Sequence, residues 1–135
     1  MTRVLVVNHD VDLADLEVEG LRRAGYVVDQ CGGPTHARTT CPVTNGATCW
    51  QVDWADVLVY DAFAAGDGGR ELIEHIRLVY PDKPVVLTAP GVGLTWTDET
   101  SLDRVRTVFG APTTPALSRA IDEALASDRI EALTG

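Results

Sequence analysis

Basic residues are scarce in this chain. Its 135 residues include 11 Lys and Arg against 20 Asp and Glu, a formal net charge of −9. The few cations are scattered, which argues against a nucleic-acid partner, because phosphate contacts need clustered Lys and Arg. Long hydrophobic runs are missing too. No apolar stretch approaches the roughly 20 residues that span a bilayer, so no membrane partner is expected. Met1-Thr2-Arg3-Val4 enters a strand at once, so no signal peptide and a cytoplasmic location are expected. Cysteine is sparse, at three residues. In a reducing compartment these stay thiols unless they hold a metal or do redox chemistry. Internal repeats and low-complexity tracts are absent. Gly91-x-Gly93 lacks the spacing and following helix of a nucleotide loop. No nucleophile–base pair stands out beyond Asp61 and His9, which argues against an independent enzyme.

What is present is alternation. Val4–Val7, Tyr26–Val28, Val57–Tyr60, Pro84–Leu87 and Val105–Phe109 are short apolar runs bounded by turn residues, the pattern of buried parallel strands. Between them lie helical patterns. Asp12 reads as an N-cap, and Leu13, Leu16, Gly20, Leu21 and Ala24 share one face, with Gly25 closing the helix at C′. Arg70–Tyr80 carries a stripe of Leu72, Ile73, Ile76, Val79 and Tyr80, ended by Pro81. Thr97 caps a short helix to about Arg104. Thr114 caps a last helix with Pro115 at its first position, and Leu117, Ala120, Ile121, Ala124 and Leu125 form its buried face. The segment from Cys31 to Trp54 is irregular. It leaves room for short helices around Thr35–Thr40 and Thr48–Trp54, and Trp50, Val52 and Trp54 make it too apolar for a disordered spacer. Five strands alternating with helices give an α/β doubly wound sheet of one domain.

Val57-Leu58-Val59-Tyr60-Asp61 is the stretch with chemical content. Four apolar residues run into a carboxylate and a Gly-rich loop, and in open α/β sheets ligands sit outside the carboxyl ends of strands. A carboxylate there can also simply cap the loop, accepting backbone N–H bonds from Gly66, Asp67 and Gly68.

With this order of elements the residues resemble the receiver domain of two-component response regulators, over nearly the whole chain. Ala55–Asp61 looks like the strand ending in the phosphoacceptor aspartate, and Gly68–Ile73 like the glycine and helix after it. Pro84-Val85-Val86-Leu87-Thr88-Ala89 looks like the strand ending in the switch threonine. The resemblance implies a flavodoxin-like (CheY-like) five-stranded parallel sheet, order 2-1-3-4-5, with an elaborated connection replacing the second helix. Residues 1–126 form the receiver-like domain and 127–135 a helix extension or tail.

The same resemblance implies chemistry that these residues only partly supply. Asp61 and Thr88 hold the phosphoacceptor and phosphoryl positions. Asn8 and His9 replace the acidic pair, Ala111 replaces the lysine before Pro112, and Val108 replaces the aromatic switch, with adjacent Phe109 on the other strand face. Mg²⁺ prefers hard oxygen ligands, so the cofactor is weakened, with Asp10 and Asp67 as assisting carboxylates. A His9–Asp61 ion pair could stand in for the cation. The expected function is a stand-alone atypical receiver that signals by protein–protein interaction, without ordinary Mg²⁺-dependent phosphorylation. Its partner would be a histidine kinase or a downstream protein. A homodimer would use the helix over 98–104, the strand over 105–109 and the helix from 114. The alternative is a working phosphoacceptor at Asp61 in a phosphorelay.

Cys31, His36, Cys41 and Cys49 give C-x4-H-x4-C-x7-C. Three thiolates and an imidazole suit zinc in number and type, but the spacing is not that of compact knuckles. A Cys41–Cys49 redox pair and plain core packing are the other readings. A metal- or redox-sensing module on this segment is thus a third functional reading. The exposed-looking Leu94 and Trp96 suggest a partner contact, or a tryptophan folded back over the sheet.

Overall fold

A computed structural model describes residues 1–8, 11–31, 43, 46–61, 68–89, 105–109 and 113–134. Strands β1 (Arg3–Val7), β2 (Val27–Cys31), β3 (Val57–Asp61), β4 (Val85–Ala89) and β5 (Val105–Phe109) form one sheet in the order β2-β1-β3-β4-β5. Every pairing is parallel. Four helices accompany them among the described residues: α1 (Val11–Arg23), α2 (Trp50–Trp54), α3 (Gly68–Val79) and α4 (Thr114–Thr134). The anticipated flavodoxin-like order is the observed one. The helix expected over 98–104 and the contact residues Leu94 and Trp96 lie outside the described residues.

The central strands β1, β3 and β4 are mostly apolar because both faces of the sheet are covered there, whereas the edge strands β2 and β5 carry Asp29, Gln30 and Arg106. Leu5, Val7, Leu58, Tyr60, Val85 and Leu87 pack with Val43, Val52 and Ile76 on one side. Val4, Val6, Val28, Val57, Val59 and Val86 pack on the other. There they meet Ala14, Val18 and Leu21 of α1 and Leu117, Ala120, Ile121 and Ala124 of α4. Each buried Val, Leu or Ile among them contributes about 1.5–3 kcal/mol by leaving water.

Helix ends depart from the sequence reading in detail. The first helix starts at Val11, so Asp12 lies inside its first turn rather than at the cap. Its buried residues are Ala14, Glu17, Val18 and Leu21, whereas Leu16 is 67% exposed. The helix is rotated because Gly20 turns toward α4, where a Cβ would overlap the Thr114 hydroxyl; Leu16, one turn earlier, stays open to solvent. Gly25 ends the helix as expected, at φ +102°. Its N–H bonds the Arg22 carbonyl and the Tyr26 N–H bonds the Leu21 carbonyl, the paired bonds of a Schellman motif. The last helix is capped by Thr113, not Thr114: Thr113 Oγ1 accepts from the Ala116 N–H at 3.4 Å. Pro115 then takes the second helical position, where its missing N–H would have had no partner anyway. The third helix begins two residues before Arg70, at Gly68. Tyr26 ties β2 to α4, its hydroxyl 2.9 Å from Ser118 Oγ and 3.1 Å from Asp122 Oδ1.

The irregular connection contributes Val43 and Val52 to the core. Trp54 packs against that core, but Trp50 is exposed. The short α2 has no side-chain cap of its own. Tyr80, just past α3, substitutes from outside. Its hydroxyl accepts the Cys49 N–H at 2.8 Å and lies 2.7 Å from Asp53 Oδ1, to which it donates. Gln51 fastens the other side, donating to Asp29 Oδ2 at 3.2 Å and to the Gln30 carbonyl at 3.3 Å. Burial, and then the bond to Asp53 and its charge, push the Tyr80 phenol up to about 12, against the Cys49 backbone bond.

Two outcomes follow from this packing. Gly20→Ala should destabilise by about 1–2 kcal/mol in urea unfolding, through overpacking. An open helix site would instead gain up to about 1 kcal/mol, and adding Thr114→Ala should restore that gain. Tyr80→Phe should cost about 1 kcal/mol by leaving the half-buried Cys49 amide without its acceptor. The folded phenol lies above its ordinary 10.0. Its contribution is therefore intact below that pH and lost as pH rises toward 12. The Phe variant should lose less stability over that interval.

Candidate functional site

The carboxyl edge of the sheet gathers the positions singled out in the sequence. Strand β1 continues one residue past its end, because the Asn8 N–H donates to the Cys31 carbonyl at 3.1 Å. Asp61 ends β3 and stands level with Thr88 of β4, which stands level with Val108 of β5. Val7 is level with Tyr60, so Asn8 follows at the same edge. The fold therefore brings Asn8, the Asp61 backbone, Thr88 and Val108 along one edge, from three adjacent strands and their outer neighbour. His9, Asp10, Asp67 and Ala111 lie outside the described residues.

Two of these members are fully buried. Asn8 is 1% exposed and Thr88 3%. The Thr88 hydroxyl donates inward to the Tyr60 carbonyl at 3.5 Å. Val108 is partly buried and packs against the α1/α4 side of the core. An aliphatic side chain there has neither a hydroxyl nor a ring that could exchange between inward and outward positions. A neutral amide at the end of β1 is a poor substitute for a carboxylate toward a hard dication. The donor set contributed by β1, Asn8 followed in sequence by His9, does not fit Mg²⁺.

The cysteine segment is only partly described. Cys31 ends β2 and Cys49 precedes α2, and both pack against the core cluster on the α2/α3 side. His36 and Cys41 lie outside the described residues. Among the described residues no group of three metal-ligating side chains forms. None of the described helices is long and apolar enough to cross a membrane.

The opposite, amino edge of the sheet carries a second polar cluster that the sequence reading passed over. A recess of about 390 Å³ opens there, lined by Arg3, Asp53, Asp56, Tyr80, Asp82 and Lys83, among others. Asp56 accepts from the Arg3 N–H at 2.8 Å and from its guanidinium at 3.3 Å. Burial would raise the Asp56 carboxyl, but those bonds and the charges of Arg3 and Lys83 hold it below its ordinary value. Lys83 donates to the Ala55 carbonyl and lies 5.9 Å from the centre of the Tyr80 ring. Burial lowers its ammonium below the usual lysine value, although Asp56 and Asp53 pull the other way. The signal that could have found this cluster was Lys83 itself, placed between Asp82 and Pro84 before an apolar strand.

No protein-family model matches the sequence, and no curated protein is significantly similar to it. Solved structures are similar in three dimensions. A response regulator receiver domain protein from Clostridium thermocellum shares 15% identity over 96% of this chain and 98% of its own, with a TM-score of 0.73. A CheY-like receiver domain protein from Methanospirillum hungatei JF-1 shares 19%, covering 97% of this chain and 98% of that one, with a TM-score of 0.71. NtrX from Brucella abortus shares 21% over 99% of this chain but only 29% of its own length, with a TM-score of 0.73. Sheet order, register and this likeness agree: the chain has the fold of response regulator receiver domains.

Proposed function

We propose that this chain is an atypical receiver-like signalling module that works by protein–protein contact, without ordinary Mg²⁺-dependent phosphorylation of Asp61. The observation that carries this reading is Asn8, a buried neutral amide at the strand end where the receiver resemblance calls for a carboxylate. Val108 supports it, because the residue level with Thr88 is aliphatic and held against the core. Phosphoryl transfer relies on positioning and on neutralising the transferring oxygens. In this reading the metal carboxylates and the lysine that would do so are replaced by Asn8, His9 and Ala111. The protein partner is a histidine kinase or a downstream signalling protein, and the module is not an independent enzyme. A second copy is the other partner this reading favours, through the side of the sheet formed by β5 and α4. The packing of Cys31 and Cys49 against the core supports structural thiols over a zinc or redox site on that segment.

A second reading, a working phosphoacceptor, is favoured by the level placement of Asp61 and Thr88. The two separate in one experiment. The protein is incubated with acetyl phosphate, with and without Mg²⁺, and followed by intact mass beside Asp61→Asn. The expected result is no Mg²⁺-dependent phosphoryl adduct in folded protein. An adduct that needs Mg²⁺ and disappears in Asp61→Asn would establish the second reading instead.

A further inference from the structure

Lys83 is the only lysine among the 11 Lys and Arg residues of the chain. Every other cation is a guanidinium, which does not lose its proton in proteins and is not a nucleophile. The single primary amine on a side chain is also not on an open helix face. It is partly buried in the recess at the amino edge of the sheet. That edge is opposite the Asp61 end, so the amine belongs to a separate site.

We propose that Lys83 is an acylation site, and that the recess admits small, uncharged activated acyl groups such as thioesters to its Nζ. The recess volume, about 390 Å³, accommodates a small acyl donor. Its walls include Val79, Pro81, Pro84 and the Tyr80 ring, which offer apolar contact to an acyl chain. Its charges are mixed: Arg3 and Lys83 face Asp53, Asp56 and Asp82. Three carboxylates against two cations disfavour anionic donors and favour neutral ones. Asp53 and Asp56 are near enough to act on the Lys83 charge, and the ammonium releases its proton to solvent. Burial supports the same conclusion by raising the share of neutral amine at a given pH.

The step balances without a further reagent. Neutral Nζ attacks the thioester carbonyl, the C–N amide bond forms and the C–S bond breaks. The amine loses one proton, and the leaving thiolate takes up one to depart as a thiol. Acylation removes the charge from Lys83, and with it the ion–ring contact to Tyr80 and the charge assistance of its bond to the Ala55 carbonyl. Those contacts border α2, so the modification would loosen the α2 connection.

The test uses the N-acetylcysteamine thioester of acetate as probe. Cysteine adducts are stripped with hydroxylamine, and amide formation is followed by peptide mapping. The reference amine is placed in the same chain by Arg119→Lys, an exposed position on α4. At pH near 8, Lys83 should be acetylated at least about twofold faster than the reference, because the recess holds the donor beside its Nζ and burial favours the neutral amine. The advantage should narrow at high pH, where both amines are neutral. Lys83→Arg should abolish the peptide's label. Equal or slower labelling of Lys83 in folded protein would overturn the proposal and leave Lys83 a structural donor to Ala55. Neither result depends on whether Asp61 accepts a phosphoryl group.

Discussion

Burial of β3 on both faces is the constraint that the other elements obey. Val57, Leu58, Val59 and Tyr60 are each at most 1% exposed, so this strand can only lie inside the sheet, with helices above and below. Its hydrogen-bonding edges are then occupied by β1 and β4. The chain must cross over between parallel strands, which is why helices alternate with them. The carboxyl end of β3 carries Asp61 to the edge beside Thr88 as a consequence of packing, whatever the chemistry there. Asn8 and Val108 fit the same packed edge: Asn8 is buried and Val108 packs against the core.

The sheet was legible because parallel strands leave nearly continuous apolar runs, and the Gly25 stop was legible because positive φ strongly favours glycine. Asp61 and Thr88 were readable for the same reason, as the polar residues that end two such runs. The rotation of α1 was not. Two apolar stripes share Leu21, and the choice between them comes from Gly20 meeting Thr114 across a long stretch of sequence. A cap displaced by one residue, Thr113 for Thr114, is a local ambiguity between neighbouring threonines. The hold on α2 was invisible, since Tyr80 looked like one more member of an apolar stripe until its hydroxyl was seen against Cys49 and Asp53.

The two edges of the sheet divide the polar chemistry. At the carboxyl edge Asn8 and Thr88 are neutral and buried, with the Thr88 hydroxyl on the Tyr60 carbonyl. At the amino edge the groups are charged and open to a recess, with Arg3, Asp56 and Lys83 in one network. The Tyr80 ring joins that network to the α2 connection. A perturbation at Lys83 thus has a short physical route to α2, which packs through Val52 on the side of the sheet opposite α1 and α4.

The central claim is that the carboxyl edge keeps the receiver geometry without a competent site for Mg²⁺. Titrating Mg²⁺ into isotope-labelled protein while following backbone amide resonances tests it most directly. The account predicts that the amides of Asn8 and Thr88 move no more than those of the distant amino edge, with no saturation. Saturable shifts confined to Asn8, Thr88 and the end of β3, and lost in Asp61→Asn, would contradict it.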